Sequence, residues 1–96
     1  MINYGKQSID ANDINAVVDV LNSDWLTQGP KINEFEKALA NYCGAKYAVA
    51  VCNGTAALHI ANLVMGTNRS AKVIIPPITF LATSNSVIYT GGHPFF

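Results

Sequence analysis

Ninety-six residues carry six basic and six acidic side chains and no net charge, so there is no electrostatic footprint for nucleic acid or an anionic membrane surface. No run of about twenty apolar residues suits a membrane span, and the opening Met1-Ile-Asn-Tyr-Gly-Lys6 lacks the apolar core of a signal peptide. A cytoplasmic protein is therefore expected. Half of the residues are apolar and only 12% are charged, a heavy apolar load for a globule whose surface is a large share of its whole. The expectation is a fragment of a larger protein, or a subunit whose apolar surface another chain covers.

In chain order, Ser8-Ile-Asp-Ala-Asn-Asp13 offers N-cap residues, and Ile14, Val17, Val18 and Leu21 mark one face of a first helix that ends by Asn22-Ser23. The loop Asp24-Trp-Leu-Thr-Gln-Gly29 follows. Pro30 suits the first position of a second helix, whose stripe is Ile32, Phe35, Leu39 and Tyr42 and whose stop is Gly44. β-Branched Val49 and Val51 predict a buried strand near 47–51. A third helix is predicted over 55–65, stopped by Gly66, and a strand over Lys72-Val-Ile-Ile75, ended by Pro76-Pro77. A helix from about Phe80 to Tyr89 stops at Gly91-Gly92, and the last residues begin another strand. Strands alternating with helices imply parallel pairing in an α/β layer.

The densest signal is Tyr47-Ala-Val-Ala-Val-Cys-Asn-Gly-Thr-Ala-Ala-Leu-His-Ile-Ala61. An apolar strand runs into the Asn53-Gly54 break, with Thr55 available to cap the next helix. Small Ala56 and Ala57 let a ligand approach the backbone. Unpaired first-turn N–H groups and the positive helix end suit an anion such as a phosphate. The same punctuation also serves α/β proteins that bind nothing there. No Gly-Lys-Ser/Thr follows, so the turn is not a P-loop, and it is not Gly-x-Gly-x-x-Gly. Cys43 and Cys52 lack a C-x-x-C spacing and are expected to be buried free thiols. His59 and His93 are isolated, so no metal site is expected. Asp10, Asp13, Glu34 and Glu36 read as residues that cap or solvate helices rather than as a catalytic pair.

Five segments then occur in one order: Asn22-Ser-Asp-Trp-Leu-Thr-Gln-Gly-Pro30, Phe35-Glu36, Ala48-Val-Ala-Val-Cys-Asn-Gly-Thr-Ala-Ala-Leu58, Pro77-Ile-Thr-Phe80 with Ala82-Thr83 and Asn85, and Gly92-x-Pro94. Over nearly the whole chain this resembles the N-terminal region of the DegT/StrS-type sugar aminotransferases. That family is PLP-dependent and has the aspartate-aminotransferase fold. Tyr4-Gly-Lys-Gln-Ser8 and the Leu-Thr-Gln-Gly loop are most similar to the branch that aminates UDP-linked 4-keto-6-deoxy-N-acetylhexosamines toward pseudaminic acid.

The resemblance implies an α/β fold forming the N-terminal part of the large PLP-binding domain. Residues 1–45 would supply helices and the substrate loop, and 46–96 the first strands and helices of the sheet. It assigns Gly54, Thr55 and Ala56 to the phosphate of pyridoxal 5'-phosphate and Phe80 to a ring stacked on the pyridine. From the residues alone, Phe80 reads as an ordinary core aromatic, and Trp25 as a ring folded back onto the core. The resemblance places Tyr4, Asp24, Trp25, Leu26 and Thr27 against the nucleotide-sugar. It further implies an amino donor such as glutamate and a homodimer.

The family's catalytic lysine and the carboxylate on the pyridine nitrogen fall beyond position 96. Lys6, Lys31, Lys37, Lys46 and Lys72 read as surface residues, so the chain alone is expected to be inactive. In the family's sheet the first strand does not pair with the second, so the strand near 47–51 is expected to lack neighbours here. Two alternatives stay open: a non-catalytic α/β module that binds an anion or a partner, and a sugar dehydratase of the same family.

Overall fold

The computed structural model describes residues 5–96, so Tyr4 lies outside the described residues. The chain forms two compact units, the first ending at Ala50 and the second running Val51–Phe96.

The first unit holds two helices. Helix α1 spans Ala11–Leu21. Asp10 accepts from the amides of Asn12 and Asp13, while the Asp13 carboxylate accepts from the amide of Asp10 at 2.9 Å. This reciprocal cap satisfies donors that the first turn leaves without partners. Helix α2 spans Pro30–Cys43, with Pro30 in its first turn and Gly44 ending it at φ 63°. That left-handed conformation costs glycine little and a side-chain-bearing residue more. The apolar stripe of α2 is exposed, as is the Ile14, Val17, Val18 and Leu21 face of α1.

The predicted strand near 47–51 is not formed, and Val49 is 77% exposed where burial was expected. A strand needs a neighbouring backbone to close its ladder, and among the described residues this segment has none. The Ala50 amide instead donates to Glu36 Oε1 at 2.8 Å. Glu36 is thus a backbone acceptor rather than a helix cap. Cys43 and Cys52 are free thiols but exposed, contrary to the expectation of burial; each flanks a helix end rather than an apolar face.

The second unit contains α3 (Gly54–Val64), β1 (Lys72–Ile74), α4 (Ala82–Tyr89) and β2 (His93–Phe95). The strands pair in parallel, with Lys72 opposite His93 and Ile74 opposite Phe95. A helix between two parallel strands is the crossover that such pairing requires. The His93 amide donates to Ala71 O at 2.9 Å and the Ile75 amide to Phe95 O at 2.8 Å. Pro94, between these two bonded residues, therefore turns its missing N–H away from β1, where it costs the ladder nothing. The core is small: Ile75, Ala82 and Val87 are buried, together with Asn62 and Ser86. His59 of α3 meets Tyr89 of α4 edge-on, with ring centroids 5.4 Å apart. Gly92 follows α4 where there is no room for a side chain, since an added Cβ would stand 2.7 Å from Thr67 Cγ2 and 3.0 Å from Val87 Cγ1.

Candidate functional site

Helix α3 begins one residue earlier than the sequence suggests, and Thr55 is not its cap. Asn53 is the N-cap, and its Oδ1 accepts from the Ala56 amide at 2.9 Å. The first bond of the helix runs from the Ala57 amide to Asn53 O. Both Asn and Thr are good caps; the helix start at Gly54 selects Asn53. Of the amides in the first turn, those of Gly54 and Thr55 remain for a ligand, beside the Thr55 hydroxyl. No acidic residue occupies that turn, so nothing offsets the positive helix end.

This helix start opens into a cavity of about 480 Å³ lined by Gly54, Thr55, Ala57, Leu58, Phe80, Ala82 and Thr83. Its volume lies within the range of small-molecule sites, roughly 300–1,000 Å³. An added Cβ on Gly54 would meet nothing within 4 Å, so the space before the helix is open. Phe80, on the cavity wall, is 79% exposed, so among the described residues it is not the core aromatic that the residues alone suggest. Gly54, Thr55 and Phe80 are thereby brought together. Ala56 does not line the cavity, and its amide is engaged by Asn53. Thr83, which sequence reasoning gave no role, lines the wall with its hydroxyl 2.9 Å from that of Thr79.

A planar, phosphate-bearing cofactor fits this donor set. Two amides and a hydroxyl lie at a positive helix end, where an anion would be held, and an aromatic residue lines the same cavity.

Asp24, Trp25, Leu26 and Thr27 lie in the other unit, in the loop between α1 and α2, and all four are exposed. Trp25 is 61% exposed and is not folded onto a core. The loop is nonetheless tightly built. The Trp25 amide donates to Ser23 Oγ, which donates in turn to Val20 O. Gln28 has φ 53°, and a Cβ on Gly29 would stand 2.7 Å from Trp25 Cβ. Leu26 lines a second, apolar cavity with Ala16, Val17, Val20, Leu21 and Lys31.

All five lysines are exposed. The ammonium of Lys31 is held above its ordinary range, first by its hydrogen bond to Glu34 at 2.7 Å and then by that carboxylate's charge. A lysine that attacks a carbonyl needs the opposite shift, toward the neutral amine. Among the described residues no group of three or more His, Cys, Asp or Glu side chains could hold a metal ion, and no helix is long and apolar enough to cross a membrane.

The second unit is an α/β crossover unit in which a helix start and an aromatic residue line one cavity. The chain belongs to the DegT/DnrJ/EryC1/StrS aminotransferase family, whose sequence profile matches residues 7–96. It is 42% identical over 94 residues to the GDP-perosamine synthase of Caulobacter vibrioides, covering 97% of this chain and 25% of that protein. It is 40% identical over 96 residues to the UDP-4-amino-4,6-dideoxy-N-acetyl-beta-L-altrosamine transaminase of Campylobacter jejuni, covering 100% of this chain and again 25% of the relative. A Streptococcus pneumoniae protein assigned as a sugar aminotransferase, solved in PLP and PMP forms, superposes with a TM-score of 0.87 at 32% identity over 98% of this chain and 24% of its own. The fold is therefore that of the matching part of the PLP-dependent sugar aminotransferases, and pyridoxal phosphate is the cofactor these forms indicate. The chain spans about a quarter of the length of the curated relatives it matches.

Proposed function

We propose that the full-length protein is a PLP-dependent aminotransferase acting on a nucleotide-linked 4-keto-6-deoxy sugar, in surface polysaccharide or pseudaminic acid biosynthesis. The observation that carries this is the cavity that joins the Gly54-Thr55 helix start to the Phe80 ring. When bound, pyridoxal phosphate supplies the electron sink on which amino transfer depends. Thr55 donates its hydroxyl to the phosphate, and the Gly54 and Thr55 amides share the dianion's charge. Ala56 takes part in the same turn, and its amide reaches the ligand only by releasing Asn53. Phe80 holds one face of the pyridine and keeps water from it.

Asp24, Trp25, Leu26 and Thr27, together with Tyr4, contact the nucleotide-sugar. An exposed ring and hydroxyl on a constrained loop suit that role. The relatives are named for both GDP-linked and UDP-linked sugars, so the nucleotide is the first thing to vary in an assay. None of the five lysines lies on the cofactor cavity. The catalytic lysine and the carboxylate on the pyridine nitrogen therefore come from residues other than these, and the 96-residue chain alone is inactive. The protein works in the cytoplasm with glutamate as amino donor and forms a homodimer, which covers apolar faces such as those of α1 and α2.

The test is to incubate the full-length protein with PLP, glutamate and UDP- or GDP-linked 4-keto-6-deoxy sugars. Mass spectrometry should find an aminated sugar nucleotide, with 2-oxoglutarate released in equal amount. A PLP-loaded protein that aminates none of these sugars, or removes water from one instead, refutes the proposal.

A further inference from the structure

We infer that Asn62 and Ser86 are positioning residues, a buried polar link that fixes the gap between the two walls of the cofactor cavity. This rests on the functional reading above. Asn62 lies on α3 beyond the cavity, and Ser86 lies on the facing side of α4; they are 6% and 1% exposed. Asn62 Nδ2 donates to Leu58 O at 3.0 Å and to Ser86 Oγ at 3.1 Å. Ser86 Oγ donates to Thr83 O at 2.9 Å, and Thr67 Oγ1 donates to Asn62 Oδ1 at 3.1 Å. Leu58 on α3 and Thr83 on α4 both line the cavity. One amide therefore grips the α3 wall directly and the α4 wall through a single hydroxyl.

Stability alone does not call for this arrangement. Burying an amide in a helix contact is unfavourable unless each polar group is paired, and an apolar pair would fill the same space. A fully paired network, however, is satisfied at only one separation and register of the two helices, whereas apolar side chains tolerate slippage. A ligand with its phosphate on the α3 start and its ring on Phe80 needs that separation held. A shift of one wall against the other would leave one end of such a ligand poorly met, and the affinity gained by holding both ends together would fall.

The experiment uses the full-length protein with Asn62→Leu, Ser86→Ala and the double variant, plus Ser86→Thr, which keeps the hydroxyl. Thermal unfolding without cofactor is measured beside equilibrium binding of PLP, pyridoxal and inorganic phosphate. The double variant should unfold at nearly the wild-type temperature yet bind PLP about tenfold more weakly, a loss of roughly 1.4 kcal/mol. Its binding of pyridoxal and of phosphate, each held by one wall, should stay within about twofold, and Ser86→Thr should bind PLP like the wild type. Unchanged PLP affinity in a stable double variant overturns the inference, and so does a parallel loss of all three ligands with lowered stability. If the double variant does not fold, Ser86→Ala alone decides: full PLP affinity there overturns the inference. A wild-type protein that binds no PLP would overturn the functional reading and this inference together; wild-type binding with an unaffected double variant overturns this inference only.

Discussion

Thr55→Val is the most direct probe of the proposed phosphate end. It removes one hydroxyl and keeps the β-branched shape. Among the described residues the Thr55 hydroxyl has no protein partner, and the helix cap belongs to Asn53. The substitution should therefore leave stability within about 0.5 kcal/mol, as for changes that break no cap, cavity or network. If the hydroxyl donates to the phosphate dianion, its loss removes a hydrogen bond to a charged group, worth about 1.5–3 kcal/mol. PLP affinity should then fall by about ten- to a hundredfold, since 1.4 kcal/mol is a factor of ten. Fluorescence or absorbance titration of the full-length apoprotein with PLP reads that change, and the same titration with pyridoxal is the control. Pyridoxal lacks the phosphate, so its affinity should barely move. Equal losses for both ligands would place the phosphate elsewhere and leave the turn as ordinary punctuation between segments.

Phe80→Ala should weaken PLP and pyridoxal alike, because it removes a ring face rather than a charge partner; a loss confined to PLP would refute stacking. Asn53→Ala should show the reverse pattern from Thr55→Val: stability falls by about 1 kcal/mol with the cap, while PLP affinity holds because the Ala56 amide becomes available. Denaturant melts and PLP titrations on that variant separate the two effects. Gly92→Ala should destabilise by about 1–3 kcal/mol, the usual penalty for overpacking, because its Cβ would press on Thr67 and Val87; an unchanged melting temperature would mean the contact yields freely. The 96-residue chain produced alone should self-associate, since Ile14, Val17, Leu21, Phe35 and Tyr42 are all exposed; a monodisperse monomer with one sharp melt would contradict this.

Sequence signals were strongest where they act within a few residues. Pro30 and Gly44 bound α2 because each fixes a backbone angle on its own, and the paired caps of α1 lie within Asp10-Ala-Asn-Asp13. The parallel pairing of β1 and β2 was also legible, because a helix between two short apolar runs leaves few other arrangements. The segment 47–51 was legible in part: the resemblance implied that it would lack neighbours here, and among the described residues it has none, but the strand read from its sequence is not formed. Its Val alternation describes side chains, but a ladder is a property of two backbones. The cap of α3 was misread for a related reason. Asn53 and Thr55 are both competent caps, and only the helix's first residue separates them.

The site divides along the same line. Gly54 and Thr55 could be named from their motif and Phe80 only from the family resemblance, but their meeting in one cavity depends on how α3 packs against α4. That packing comes from His59 against Tyr89 and from Asn62 bonded to Ser86, pairs with no local pattern to announce them. The one clue was Asn62 itself, a lone amide within the otherwise apolar run Ile60-Ala-Asn-Leu-Val64. A polar residue there must find a partner or destabilise the helix contact. The proposed spacer of the cavity walls is thus a residue whose role is invisible until its partner on the second helix is known. Motifs announce which groups touch a ligand; the spacing between those groups is written in the buried pairs behind them.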